Sequence, residues 1–518
     1  MLLARGIYIF LRPFRSYDGH VKKQTIWVMG DQLNRQIGAL KDAHPDTHRV
    51  LMVESHGKIT SQRWHIQRAH FIVASMRRFA MELRSEGFEV DYRFAESMRF
   101  GLDAHRTEYS PSVVVVTEPN SFVAKNLVAS LEVEIVPSNQ FLCHPTEYSE
   151  FMGTRKTIKM EDFYRWQRRR LNIMMDGTEP VGGQWNFDAD NRLPPPKTGH
   201  DRWPTPQRYE LDALDQQVIN DISGNTWGNA PTGVWATTRA EALNRLRFFV
   251  SDILPMFGEH EDAMLKSNWH LAHSLLSPYL NNGLLLPGEV VAAAEAAYRN
   301  GSIPINSAEG FIRQIIGWRE YIWNCYWRWM PDYADMNALD AQVDIPPMFM
   351  DSGATQMSCM KSVIGHVEER SYAHHIERLM VLGNFALIAG INPQQLTHWM
   401  WLNFIDAAEW VMVPNVIGMS QYADGGMLAT KPYASGGAYI DRMSDHCKGC
   451  AYDRKKRVGE DACPFTVLYW DFFLRHQDRF VKNPRVARQV RAAQQLVDKD
   501  ELQVTAVSIM NRLKSGTL

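Results

Sequence analysis

The sequence predicts an α/β N-terminal domain built on a doubly wound parallel sheet, followed by a larger all-α domain. From Thr25 to about Ser138 short β-rich runs alternate with helical periods, which is the pattern of a parallel sheet covered by helices. From Thr238 onward nearly every apolar pattern has the helical period instead. At ~150 residues per domain, 518 residues leave room for about three units. These are read as an N-terminal extension (1–24), the α/β domain (25–144), a connector (145–237) and the helical domain (238–518).

The predicted strands are Thr25 to Gly30, Arg49 to Glu54, Phe88 to Phe94, Ser112 to Glu118 and Val133 to Ser138. Between the second and third, Ile66, Ala69, Phe71, Val73, Met76, Phe79, Ala80 and Leu83 recur at a helical period within Gln62 to Glu86. The turn after the first strand is Gly30-Asp31-Gln32-Leu33-Asn34, so the G-x-G-x-x-G fingerprint is absent, and with it that motif's way of cradling phosphate. Ligands of such sheets still bind at the carboxyl ends of the strands, where Asp31, Gln32 and Glu54 are expected to converge.

From Pro145 to Pro231 the rhythm is lost, and Gly- and Pro-rich stretches read as a connector over the surface. Near its start, Arg155 to Asn172 interleaves Arg165, Arg168, Arg169 and Arg170 with Phe163, Tyr164 and Trp166. Cations for phosphates and flat rings for bases suit distorted or single-stranded nucleic acid. A solvated basic helix packed on its neighbour explains the same residues equally well.

Lys plus Arg at 56 against Asp plus Glu at 58 leaves the chain nearly neutral, so any nucleic-acid binding must come from a local surface. The first 23 residues hold an apolar run broken by Arg5 and followed by Arg12 and Arg15, with no cleavage-site pattern. No later stretch has the length of an apolar span, and a soluble cytoplasmic monomer is expected. Six cysteines in so long a chain are no secreted disulfide framework. Cys447, Cys450 and Cys463 stand at C-x2-C-x12-C-P, three corners of a tetrahedral soft-metal site, with Cys359 as the candidate for the fourth. Spacing alone leaves zinc, an iron–sulfur cluster or no metal open.

The helical half is read as Arg239 to Val250, Leu271 to Leu280, Gly288 to Arg299, Ala308 to Met330 and His374 to Ile388. Ser274 and Ser277 offer hydroxyls suited to a pyrophosphate at a helix start. Phe311 to Trp323 sets Arg313, Gln314, Gly317 and Trp318 on an aromatic helix, and His374 and His375 stand side by side with Arg378 one turn on. Histidine is the side chain suited to proton transfer near neutral pH. Trp399, Trp401 and Trp410 surround Asp406.

The segments L-A-H-S-L-L-S, Q-I-I-G-W-R-E-Y and H-H-I-E-R-L-M, in this order and together with the four cysteines, resemble the photolyase and cryptochrome flavoproteins. Within these the resemblance is to the bacterial iron–sulfur branch, whose repair members act on (6-4) photoproducts. It implies an antenna-binding α/β domain and a helical domain holding FAD and a [4Fe–4S] cluster ligated by Cys359, Cys447, Cys450 and Cys463. It implies flavin contacts at Ser274, Leu276, Ser277, Arg313, Trp318, Arg378, Asn384 and Asp406, and a 6,7-dimethyl-8-ribityllumazine antenna at Gly30, Asp31, Gln32, Leu33 and Glu54. His375, with His374 beside it, and Tyr433 fall in the segments that face the lesion in UV-damaged DNA, and Trp399 fits the electron route. Two departures stand out: V-M-V-P-N-V-I-G follows Asp406 where other photolyases are rich in tryptophan, and Met400 and Asp351 occupy plausible relay positions. The implied activity is light-driven (6-4) repair, with blue-light signalling by the same cofactors as the alternative. A zinc-dependent, flavin-free nucleic-acid-binding protein is the third reading.

Overall fold

The structure is a computed structural model and describes residues 22–518. Of the N-terminal extension, residues 1–21 lie outside the described residues. Five strands form one parallel sheet: β1 (Gln24–Val28), β2 (His48–Ser55), β3 (Glu89–Ala95), β4 (Val114–Thr117) and β5 (Glu134–Val136). Their order is β3-β2-β1-β4-β5, with Ile26 of β1 opposite Val50 on one side and Val115 on the other. The chain's progress across the sheet therefore reverses beside β1, and the turn Gly30 to Asn34 leaves the carboxyl end of β1 at that switch point.

Alternation decides which face each strand residue enters. Ile26, Val28, Val50 and Met52 pack with Phe71, Met76 and Phe79 of the helix Ile66–Ser85. Trp27, Met29, Leu51, Val53, Val114 and Val116 pack on the opposite face with Leu102 and Val128. Both faces are covered, which is why these strands read as unbroken apolar runs. The first of these cores continues into the helical half through Leu275, Leu276, Tyr279 and Ile312, so one sheet face is joined to the helical domain by shared packing.

The connector is more structured than its composition suggests. It contains the helices Pro145–Met152, Met160–Leu171 and Ala213–Ile222. The last is pinned to the long helix of the α/β domain, where Asp215 receives His70 at 2.9 Å and Arg78 at 2.8 Å. Asp188 and Asn191 tie the intervening loop to the helical domain through Arg313 and Asn306.

In the helical half, Arg239–Phe248, Pro287–Arg299 and an unbroken helical stretch from Ile305 to Trp329 form where the periodicity places them. Among the described residues four stretches take π-helical form: Phe249–Ile253, Arg313–Arg319, Glu377–Gly383 and Pro414–Ser420. Such bulges widen a helix by one residue per turn and are often found at functional sites. The expected helix over Leu271 to Leu280 is shorter, Ser277–Asn282. Leu271 (φ 41°) and Leu275 (φ 56°) adopt left-handed backbone that interrupts a helix, and both side chains are buried. Burial of these leucines overrides their helical preference, and an irregular strand of chain carries Ser274 and Leu276. No helix among the described residues is long and apolar enough to cross a membrane.

Candidate functional site

The two neighbouring histidines have different surroundings. The helix that follows them begins at His375, so His374 is its cap and not part of its first turn. His374 is fully buried, while the His375 side chain is 48% exposed. A third histidine, His273 from the irregular segment, stacks on His374 at 4.5 Å between ring centroids and meets His375 edge-on at 5.2 Å. Burial, with the crowding of the other imidazoles, holds His374 and His273 well below the usual histidine pKa.

His375 behaves oppositely. Desolvation works against its charged form, but Asp262, 3.5 Å from Nε2, and Glu261 outweigh it, and its pKa lies above the usual value. Burial pushes Glu261 up to about 7, although His375 and Arg313 pull it down. The arrangement sets a half-open imidazole that favours its charged form against two that favour the neutral form, buried His374 and half-buried His273, with acids on its flank. This is the form of a proton donor near neutral pH.

Around His375 the structure gathers residues from distant segments. Arg192 from the connector pairs with Asp188 at 3.1 Å and lies 4.0 Å from Asp262. Burial raises the pKa of Tyr433, and Arg192 and Arg485 oppose that shift, so both guanidinium groups stand near the phenol. Lys431 Nζ lies 5.8 Å from its ring centre. His273 shares a segment with Ser274 and Ser277, and Glu261-Asp262 is an acidic pair that no local pattern in the sequence links to the histidines.

Of the expected flavin contacts, Ser277, Arg378 and Asp406 come together. Asp406 accepts Ser277 Oγ at 2.7 Å on Oδ2 and Arg378 Nη1 at 2.9 Å on Oδ1. Ser274 and Leu276 lie on the approach to this pair, where the Ser274 hydroxyl accepts the Leu276 amide at 3.3 Å. Asn384 exchanges two hydrogen bonds of 2.9 Å with the backbone of Ser435 and so fastens the Tyr433 loop. Trp318 donates to Asn415 at 3.2 Å. Arg313 is engaged elsewhere, by Asp188 and Glu309, and works on the acidic flank of His375. Trp399 donates to the Phe349 carbonyl at 3.1 Å and packs on Phe404, whose ring lies 4.1 Å under Arg378. Asp351 caps a turn through the Gly353 amide, and Met400 is core.

The four cysteines face one cavity, lined also by Met357, Gly437, Tyr452 and Phe465. Cys359 comes from the helix Ser358–Arg370, Cys447 and Cys450 from a loop, and Cys463 from the start of Pro464–Arg475. Burial, and the other thiols around it, push Cys359 well above the usual thiol range, and Cys447 rises to about 12. Thiols so crowded lose their protons readily only to a cation among them. Gly437 is part of the fit, since a Cβ there would stand 3.1 Å from Cys463 Sγ.

At the sheet's switch point, Gly30 is pressed against Met76, and Gln32 and Leu33 are buried. Gln32 donates to the Glu118 carbonyl at 2.8 Å and the Leu33 amide to Asn282 at 2.9 Å, which docks the turn on the helical domain. Burial raises the Asp31 carboxyl, with Lys58 and Asn120 opposing. Glu54 does not converge with it as an open acid. Arg77 takes both its oxygens, at 3.0 and 2.8 Å, and Tyr92 donates to it at 2.6 Å.

The basic run is also corrected. Arg168 is wholly buried and donates to the carbonyls of Ile173, Met174 and Trp185. Arg170 is held by Glu147 at 2.6 Å and by the Leu142 carbonyl. Arg169 alone of the three stays exposed and unengaged by an acid, its guanidinium 4.5 Å from the Trp185 ring centre. The run closes the connector onto itself because a returning loop presents carbonyls that need donors.

The site as a whole is a parallel-sheet domain joined to a helical domain that carries a histidine pocket and a four-cysteine cavity. The chain is similar in fold to the crystal structure of a bacterial class III photolyase from Agrobacterium tumefaciens, with a TM-score of 0.55 at 14% identity over 97% of this chain and 93% of that one. The family model for deoxyribodipyrimidine photo-lyase-related protein matches residues 26–233. The chain is 41% identical to the (6-4) photolyase of Agrobacterium fabrum, over 90% of its own length and 94% of that relative. A short, uncharacterized protein of Acanthamoeba polyphaga mimivirus is 31% identical over 26% of this chain. The chain belongs to the photolyase family.

Proposed function

We propose that this protein is a (6-4) photolyase, which reverses pyrimidine–pyrimidone (6-4) photoproducts in UV-damaged DNA under light. The observation that carries the reading is the His375–Asp262 pair beside buried His374 and half-buried His273, a proton donor set in a half-open pocket next to Tyr433. Reversal of such an adduct needs both an electron and a relayed proton, and the pair supplies the proton. The 41% identity to a named (6-4) photolyase supports the same reading.

FAD would be held by Arg378, Asp406 and Ser277; Arg378 also acts on the charge of His273, whose Nε2 is buried without a hydrogen-bond partner. When bound and reduced, it supplies the photoexcited electron. The chain's own residues do the rest. Arg192, Arg485 and Lys431 supply cations for phosphates around a nucleotide turned out of the duplex, which is least costly where a lesion has already broken the stack. His375 holds a proton on Nε2 at the mouth of the pocket, and Asp262 keeps it there. Tyr433 offers a flat ring for the lesion's bases, and Trp399 a ring for electron supply, one aromatic side chain away from Arg378.

The four cysteines fit a [4Fe–4S] cluster, because four thiols on three chain segments share one cavity and Gly437 leaves room beside Cys463. Such a cluster would hold the C-terminal helices to the rest of the domain. Asp31, with Lys58 and Asn120 near it, is the part of the switch-point turn suited to a ribityllumazine antenna. The test is an oligonucleotide carrying one (6-4) thymine adduct. Restoration of the two thymines under blue light and none in the dark is expected. Photoreduction of the flavin without restoration would leave the signalling function as the better reading.

A further inference from the structure

Behind the histidine pocket lies a buried layer that proton donation by His375 does not use. Glu377 is fully buried, and its two oxygens do different work. Oε2 accepts the backbone N–H of His374 at 3.2 Å, as an acid in the first turn of a helix often does for its cap. Oε1 faces two imidazoles: Nδ1 of His366 at 3.0 Å, from the helix Ser358–Arg370, and Nε2 of His374 at 3.6 Å. Capping needs only the first oxygen. The second is aimed at side chains, and a buried carboxylate and a buried imidazole are both costly unless they satisfy each other.

The charges around His374 make this arrangement specific. His273 and His375 face it from the pocket, Arg378 from its own helix, and His366 from the helix behind, and all four disfavour a charge on it. Glu377 is the one acid among these neighbours. A carboxylate only accepts, so a neutral His374 that meets it must carry its hydrogen on Nε2 and leave Nδ1 as an acceptor. At 3.6 Å the contact is longer than a hydrogen bond, as catalytic contacts often are before a site is filled.

We propose that Glu377, oriented by His366, is a positioning residue that fixes His374 in its Nε2–H tautomer and so sets the histidine stack on which His375 rests. The proposal rests on the repair reading for its consequence but not for its geometry. Two measurements on the holoprotein separate them. Histidine-selective 15N spectra of the wild type should show His374 neutral and protonated on Nε2, and Glu377→Gln, which keeps an acceptor for the cap, should mix the two tautomers. Under light, Glu377→Gln should repair (6-4) adducts about tenfold less well near neutral pH, a smaller loss than the ~10²–10⁴ of a whole general acid. Its flavin absorption and unfolding midpoint should stay as in the wild type. His366→Gln should lose less, in the same direction. A wild-type His374 protonated on Nδ1, or a Glu377→Gln spectrum identical to the wild type, would overturn the proposal. A wild type with the expected tautomer but without repair would overturn the repair reading alone. If Glu377→Gln fails to fold, the wild-type tautomer and His366→Gln decide.

Discussion

The cysteine cavity and the histidine pocket both draw on the stretch of chain from Cys359 to Cys447, yet they are built in opposite ways. The cavity is closed, made of four like residues, and joined to the ends of helices. The pocket is half-open and made of unlike residues from five segments: Asp262, His273, His374–His375, Tyr433 and Arg192. A closed site of identical ligands holds structure, because its binding energy couples to folding. A pocket in which one histidine is charged and its neighbours are neutral performs chemistry, because its groups have been pushed apart in pKa. The proposed location of the reaction therefore rests on electrostatic contrast and not on the more conspicuous motif.

The largest effect should come from the cavity. If the cavity holds the proposed cluster, Cys463→Ala should remove its iron and broad visible absorption and lower the unfolding midpoint by about 10 °C or more, since the helix Pro464–Arg475 that Cys463 begins packs on Lys499–Ser515. Equal stability of the variant would mean that the cavity is not structural.

The pocket should answer to pH. His375's pKa lies above 6.5, so its donor form is present below that raised value and is lost as pH rises through it. Photorepair should hold through pH 6.5 and fall on the alkaline side. Asp262→Asn removes the partner that raises the pKa and should move that fall to lower pH by about one unit or more. A profile unchanged by Asp262→Asn would break the assignment of the donor.

The smallest effects distinguish the two groups of arginines. Arg192→Ala and Arg485→Ala should each weaken DNA binding and reduce its salt slope by about one. Arg168→Ala should leave the slope alone and cost about 2–4 kcal/mol of stability, because three carbonyls lose a buried cationic donor.

The parallel sheet was legible because alternation of β-rich runs and helical periods survives in any register. The cysteine set was legible because a metal imposes spacing. Arg168 was not, since nothing local reveals that the carbonyls of Ile173, Met174 and Trp185 return to meet it. Leu271 and Leu275 keep a helical rhythm while burial holds them in left-handed backbone. Glu54 stands at a strand end, as a ligand contact would, and only the fold brings Arg77 and Tyr92 to it. The histidine pair was visible in the sequence, but Asp262, Glu261 and His273, which give its members different charges, come from distant segments.

The central claim is that repair belongs to the pocket, and it is tested most directly by comparing the (6-4) photorepair yield of His375→Ala with that of the wild type at equal flavin absorption. The account predicts a loss of ~10²–10⁴-fold with flavin photoreduction intact. An undiminished yield would contradict it.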